Sequence, residues 1–89
     1  MNAIVTVVGQ DRVGITAGVC TLLAENQVNI LDISQTILSG AFTMVMMVDL
    51  TAATTDFGTL SNALAEKGKE MGLVIRIQRE EIFDAMHRI

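Results

Sequence analysis

The sequence predicts an α+β fold in which two helices lie on one face of a four-stranded antiparallel sheet. Three observations carry this expectation. Four stretches are rich in β-branched or alternating apolar residues, two intervening stretches carry apolar residues at helical spacing, and their order is strand-helix-strand followed by strand-helix-strand. Right-handed crossovers let the two halves intercalate into one sheet.

Ala3 to Val8 is apolar with β-branched residues on both faces, as suits a central strand covered on each side, and it is expected to end at Gly9. Asp11 is positioned to cap a helix whose apolar residues Ile15, Val19, Leu22 and Leu23 share one face, with Ala24 to Gln27 closing it. Asn29 to Leu38 reads as a second strand. Ser39-Gly40 is a turn signal leading to a third strand, Ala41 to Leu50, so that the two form a hairpin. Thr51 to Thr55 is a loop of small and polar residues. Asp56 then opens a second helix with Phe57, Leu60, Leu64 and Met71 inward and Lys67 and Lys69 toward its negative end, and Gly72 is its stop.

Leu73 to Gln78 alternates as a half-exposed fourth strand. Glu80 to Ile89 sets Ile82, Phe83, Met86 and Ile89 on one side, with acids in the first turn and His87 and Arg88 in the last, and reads as a short packing helix. The order is βαββαβ, that of the ferredoxin-like sandwich, within a single domain over residues 1–89 whose core spans 1–79 and whose terminal helix spans 80–89. The third strand has Phe42, Met44, Met46 and Val48 on one side and Val45 and Met47 on the other. The helix-free face therefore also needs cover, from the terminal helix, a second subunit or both. The methionines read as packing, in the core or at a dimer contact, rather than as a soft binding surface.

A chain of 89 residues buries only about 60–65% of the surface its unfolded form exposes. Its 51% apolar content is more than one small core hides, which points to self-association as a homodimer. A formal net charge of −4 opposes a phosphate backbone, and with no Trp or Tyr and three scattered Phe residues no base-stacking platform forms, so nucleic acid is excluded as a partner. Cys20 is the single cysteine and rules out an intrachain disulfide or a Cys-based zinc site, which fits the cytoplasm. With neither a charged leader nor an apolar run of membrane-spanning length, the expectation is a soluble, unprocessed chain without a membrane partner.

The run Gly9-Gln10-Asp11-Arg12-Val13-Gly14-Ile15 joins the first strand to the first helix. Such a junction aims backbone N–H groups at one spot, and a glycine there admits a small anion. The run lacks a Gly-Lys-Ser or Gly-Lys-Thr ending, and Gly9, Gly14 and Gly18 do not have dinucleotide-binding spacing, so an amino-acid carboxylate suits it as well as a phosphate. One histidine near the end and no clustered carboxylates leave no catalytic residue to assign, and no cofactor is implied. Glu80, Asp84 and His87 share a helix face at a spacing that could hold a metal, but nothing completes the ligand set and no metal site is assigned.

That loop, with Asn29-Ile30 opening the second strand inside a βαββαβ order, resembles the ACT domains across essentially the whole chain. A free-standing copy this short is similar to the stand-alone ACT proteins related to regulators of the glycine cleavage system. The resemblance implies a regulatory module that binds an amino acid or similar small effector between paired domains and acts through a regulated protein partner. It further implies that the effector sits near the first strand-helix loop and touches the start of the second strand of a neighbouring domain, which here are Asp11, Gly14 and Ile15 with Asn29. The chain departs from that pattern at Gly9, where a polar side chain is frequent, and at Val13, where Pro is common.

Each of these residues also has a plainer role. Asp11 can act as an N-cap, as a ligand contact or as both. Gly14, read inside a first helical turn, costs roughly 0.5–1 kcal/mol relative to Ala, and either close packing on a strand or close approach of a ligand explains it. Arg12 reads as solvated rather than paired with a ligand carboxylate, and Asn29 can simply complete a turn. Two further functions stay open: a ligand-free dimerisation and protein-docking module, and an acylphosphatase-like hydrolase, for which Arg12 is a poor match.

Overall fold

The structure is a computed structural model that describes residues 1–81, and it contains β1 (Asn2–Gln10), α1 (Ile15–Glu25), β2 (Asn29–Leu38), β3 (Ala41–Asp49), α2 (Phe57–Met71) and β4 (Leu73–Arg79). The strands form one sheet in the order β2-β3-β1-β4, every neighbouring pair antiparallel. This is the intercalated βαββαβ arrangement expected from the element order. The helix expected over 80–89 lies outside the described residues beyond Glu81.

The two most apolar strands, β1 and β3, take the centre. Val5 and Val7 of β1 and Met44, Met46 and Val48 of β3 are fully buried beneath Val19 and Leu23 of α1 and Leu64 of α2. Met44 and Met46 are thus core side chains, whereas Met47 faces the other side of the sheet and is half-buried. Ile4, on that same helix-free side, is also buried. The β2–β3 hairpin closes through Ser39 and Gly40 at φ 53° and 81°, the paired positive φ angles of the tight turn that matches strand twist.

Two sequence expectations change at α1. Asp11 is not its cap: the helix starts at Ile15 behind Gly14, whose φ of 91° makes it a left-handed residue, and no side chain caps the first turn. Nor does β1 end at Gly9, which pairs with Phe42 on one side and Leu73 on the other. At its far end α1 closes as read from the sequence. Gln27 takes φ 58°, its N–H donates to the Ala24 carbonyl at 3.0 Å, and the Val28 N–H donates to the Leu23 carbonyl at 2.9 Å, a pairing that satisfies the last turn.

Helix α2 is capped as expected. Asp56 Oδ1 accepts from the Thr59 N–H at 2.6 Å, which holds its carboxyl below the usual aspartate range, and Gly72 ends the helix at φ 72°. Gly68, which the periodicity left unremarked, is buried where α2 meets β4. A Cβ there would stand 2.7 Å from the Leu73 carbonyl oxygen, so only glycine allows this approach.

Candidate functional site

The loop between β1 and α1 is fixed at two points. The Asp11 N–H donates to the Gly40 carbonyl at 2.8 Å, joining the loop to the β2–β3 turn. Arg12, expected to be solvated, is exposed but donates from Nη1 to the Met71 carbonyl at 3.0 Å and so fastens the loop to the last turn of α2. A helix C-terminus attracts such a cation. Held at Asp11 and Arg12, the chain enters α1 through Gly14 at φ 91°, a left-handed conformation that favours glycine. A Cβ at Gly14 would meet nothing within 4 Å, so close packing is not its reason.

The turn that follows has no side-chain cap and no acidic residue. Its early N–H groups lack the side-chain acceptor that Asp56 supplies in α2. Ile15 contributes only its backbone here, since its side chain is 2% exposed within the core. Asp11 has an exposed side chain and lines an open pocket of about 290 Å³ with Gln10, Arg12, Met71 and Gly72. That pocket lies on the α2 side of the loop and does not include Gly14 or Ile15.

Asn29 is not brought to this loop within one chain. It pairs with Asp49, which pairs with Asn2, at the end of the sheet opposite Gly9 and Gln10. The nine steps of β2 between Asn29 and Leu38 span roughly 30 Å. Asp11, Gly14 and Ile15 thus lie within five consecutive residues of one loop, with Asp11 lining the pocket on its α2 side, and Asn29 is set apart.

Gln35 is the residue that sequence reasoning missed. It pairs with the buried Met44 and so lies on the helix side of β2, where its Oε1 accepts from Thr16 Oγ1 of the first turn of α1 at 3.4 Å. Its signal was a polar residue interrupting the inward row Ile33, Gln35, Ile37. Gly9 has a steric role: a Cβ there would stand 2.5 Å from Leu73 Cδ2, so the leucine fills the space that a side chain on Gly9 would need. Cys20, read as a small buried residue, is half-buried against the core, and desolvation raises its thiol pKa. Among the described residues no group of three His, Cys, Asp or Glu is placed to hold a metal, and no helix is long and apolar enough to cross a membrane. Asp84 and His87 lie outside the described residues.

Comparison with known proteins gives this geometry a family. A UPF0237 protein of Bifidobacterium longum is 58% identical over 88 residues, which are 99% of this chain and 98% of that protein. Among solved structures, an ACT domain protein from Streptococcus pneumoniae superposes with a TM-score of 0.82 at 45% identity, covering 98% of both chains. A formyltetrahydrofolate deformylase from Pseudomonas syringae contains a similar region, with a TM-score of 0.80 and 25% identity over 86% of this chain and 26% of its own. The sequence profile of the ACT domain matches residues 2–78, and the chain belongs to the ACT domain family, whose members are regulatory ligand-binding modules.

Proposed function

We propose that this protein senses a free amino acid, or a small effector carrying the same carboxylate, at the interface of a homodimer, and passes that state to a protein partner. The observation that carries the reading is the bare first turn of α1 behind Gly14. A carboxylate against the Gly14 and Ile15 amides gains from the helix dipole, typically about 0.3–1 kcal/mol and up to about 2 in a partly buried site. The ammonium group takes acceptors from Asp11, Gln35 and Asn29 of a second copy.

The dimer follows from the character of β2. It is an edge strand of ten residues with a single charge, Asp32, and with Leu31, Ile33, Ile37 and Leu38 all about half-exposed or more. Such an edge invites pairing. Antiparallel pairing of two β2 strands about a twofold axis through their middle sets Asn29 of one copy beside Leu38 of the other, next to the Gly40 turn that holds Asp11. The separation of Asn29 from the loop within one chain becomes an adjacency between two.

A thermal-shift panel of amino acids at millimolar concentration tests this. An effector of about ten heavy atoms binds in the millimolar to micromolar range. At ten times Kd it stabilises the folded state by about 1.4 kcal/mol, or about 6–11 °C for a domain of this size. Ala17→Glu puts a carboxylate in the first turn of α1, so the variant should melt slightly higher without ligand and lose the effector's shift. Retention of the shift in that variant refutes the site. Absence of any shift in the parent protein favours the ligand-free docking module, a reading consistent with the pocket beside Asp11, whose lining includes none of Gly14, Ile15 and Asn29.

A further inference from the structure

The helix side of the sheet is not evenly covered. Ile33, Gln35 and Ile37 of β2 pair with the buried Met46, Met44 and Phe42 and so face the helices. Yet Ile33 and Ile37 keep 45% and 51% exposure, whereas Met44, Met46 and Phe42 keep 0–2%. Gln35 between them is exposed as well. Helix α1 therefore leaves an open strip along β2, apolar at both ends with one amide in the middle.

This strip runs to the start of α1. Gln35 accepts from Thr16, the second residue of the helix. Ile37 lies two residues nearer the β2–β3 turn on the same face, about 7 Å further along the strand, whereas the helix extends only one residue, about 1.5 Å, in that direction. Ile37 thus stands past the helix end, beside the space that the open N–H groups of the first turn face. Its row in the sheet continues through Phe42 to Gly9, where β1 nears the loop. The loop residue directly before Gly14 is also apolar, Val13 at 97% exposure.

The bulge of β2 decides what stands opposite Ile37 in the dimer proposed above. Pairing with β3 shifts between Ile30 and Asp32, which leaves Leu31 as the extra residue. Without it, β2 has nine positions paired with β3, and Ser34 is the middle one. The twofold pairing that sets Asn29 beside Leu38 of the other copy then sets Ile30 beside Ile37 and Ile33 beside Gln35. Ile30 pairs with the buried Val48, so all four face the helix side, as directly opposed residues must. Charge is missing from this place among the described residues. No Lys, Arg or His occurs from Val13 to Glu66, and Arg12 is bonded to the Met71 carbonyl on the α2 side. Asp32, which pairs with Met47, faces the helix-free side.

We infer that the effector is an amino acid with an aliphatic side chain, seated between Ile37 of one copy and Ile30 of the other. The inference rests on the effector site proposed above and adds the class of ligand that it takes. With its carboxylate at the first turn of α1, the effector lays its side chain against the open end of the β2 strip. An acidic side chain would meet no cation there and a basic one no carboxylate on the helix side of β2, so either would lose hydration without gaining a partner. Each aliphatic carbon buried there instead tightens binding by about fourfold in Kd.

Thermal shift and calorimetric titration of the full-length chain with leucine, isoleucine, valine, alanine, serine, aspartate and lysine test this. At least one of leucine, isoleucine and valine should bind about tenfold or more tighter than alanine, and aspartate and lysine should bind more weakly than alanine. Ile37→Ser, at an exposed position, should bring the preferred aliphatic amino acid to within about threefold of alanine while alanine binds as before, and Ile37→Val should keep the preference. If serine, aspartate or lysine outranks all three aliphatic amino acids, and its shift is lost in Ala17→Glu, the inference is overturned and the effector site stands. A preference that survives Ile37→Ser unchanged overturns it as well. No shift with any of the seven, or an aliphatic shift retained in Ala17→Glu, removes the site and the inference together.

Discussion

Gly18 and Gly68 sit inside helices and differ in what a methyl group would meet, so their alanine variants isolate one contact. Replacing an interior helical glycine by alanine gains up to about 1 kcal/mol of helix propensity in either place. At Gly18 the new Cβ would stand 3.1 Å from Met71 Sδ and 3.2 Å from its Cε, the free end of a side chain that moves aside. Gly18→Ala is therefore expected to be neutral or stabilising by up to about 1 kcal/mol. At Gly68 the Cβ would stand 2.7 Å from the Leu73 carbonyl oxygen and 3.3 Å from the Ile75 amide nitrogen, both backbone atoms of a paired strand. Relief requires α2 and β4 to separate by about half an ångström along a well-packed contact, an overpacking cost of about 2–3 kcal/mol. Less the propensity gain, Gly68→Ala loses about 1–2 kcal/mol, or roughly 4–16 °C in melting temperature. Urea denaturation of the parent and both variants, with equal m-values as the check on two-state unfolding, measures the difference. Equal stabilities for the two variants would refute the claim that the α2–β4 approach is limited by the backbone at Gly68.

Three more outcomes follow from the same structure. Gly14→Ala meets open space yet must hold a positive φ, so it should lose about 1–2 kcal/mol, and Gly14→Asn should lose less; a neutral alanine variant in thermal melts would show that the loop adopts another backbone path. Charging the β2 edge with Ile33→Lys and Ile37→Lys should give a monomer by sedimentation at micromolar concentration, against a dimeric parent; a monomeric parent refutes the proposed interface. The Asp56 carboxyl is held below its ordinary range by the Thr59 hydrogen bond, so its contribution is complete above the ordinary aspartate pKa and is lost as pH falls through the lowered value. Asp56→Ala should thus melt below the parent at neutral pH and converge with it in acid, and a gap that persists in acid would point to packing rather than the cap.

Periodicity made the elements legible, because each helix and strand buries one face and the apolar residues mark it. The place of Asn29 in a neighbouring copy was implied by the family resemblance rather than by the residues themselves, and the register of β2 on β3 puts it at the end of the sheet away from the loop. What stayed hidden depends on backbone angles and on residues far apart in sequence. Asp11 looked like a cap because its residue type favours that role, but two tertiary ties, to Gly40 and to Met71, move the helix start past it to Gly14. Gly9 looked like a strand end because glycine punctuates strands, whereas here its missing side chain makes room for Leu73. Gln35 acquires meaning only from the Thr16 contact across α1 and β2.

These ties also explain why the two helices start so differently. A side-chain cap needs an extended residue whose oxygen folds back over the first turn, and Asp56, at φ −80° and ψ 167°, has that geometry. Gly14, at φ 91° and ψ 1°, does not, and no L-residue at that position would gain it without moving the loop. Anchoring the loop to the hairpin turn and to the end of α2 therefore has a necessary consequence, a helix start that its own N-cap side chain does not serve. An acid at position 17 would remedy this from within the helix, and the chain has Ala17 there, exposed and small. In the proposed dimer the open donors, the acceptors Asp11 and Gln35, and a second Asn29 brought to the same end by the β2 edge would serve one ligand. Ala17→Glu separates the two uses of the donors, since one carboxylate both stabilises the empty fold and occupies the place the effector would take.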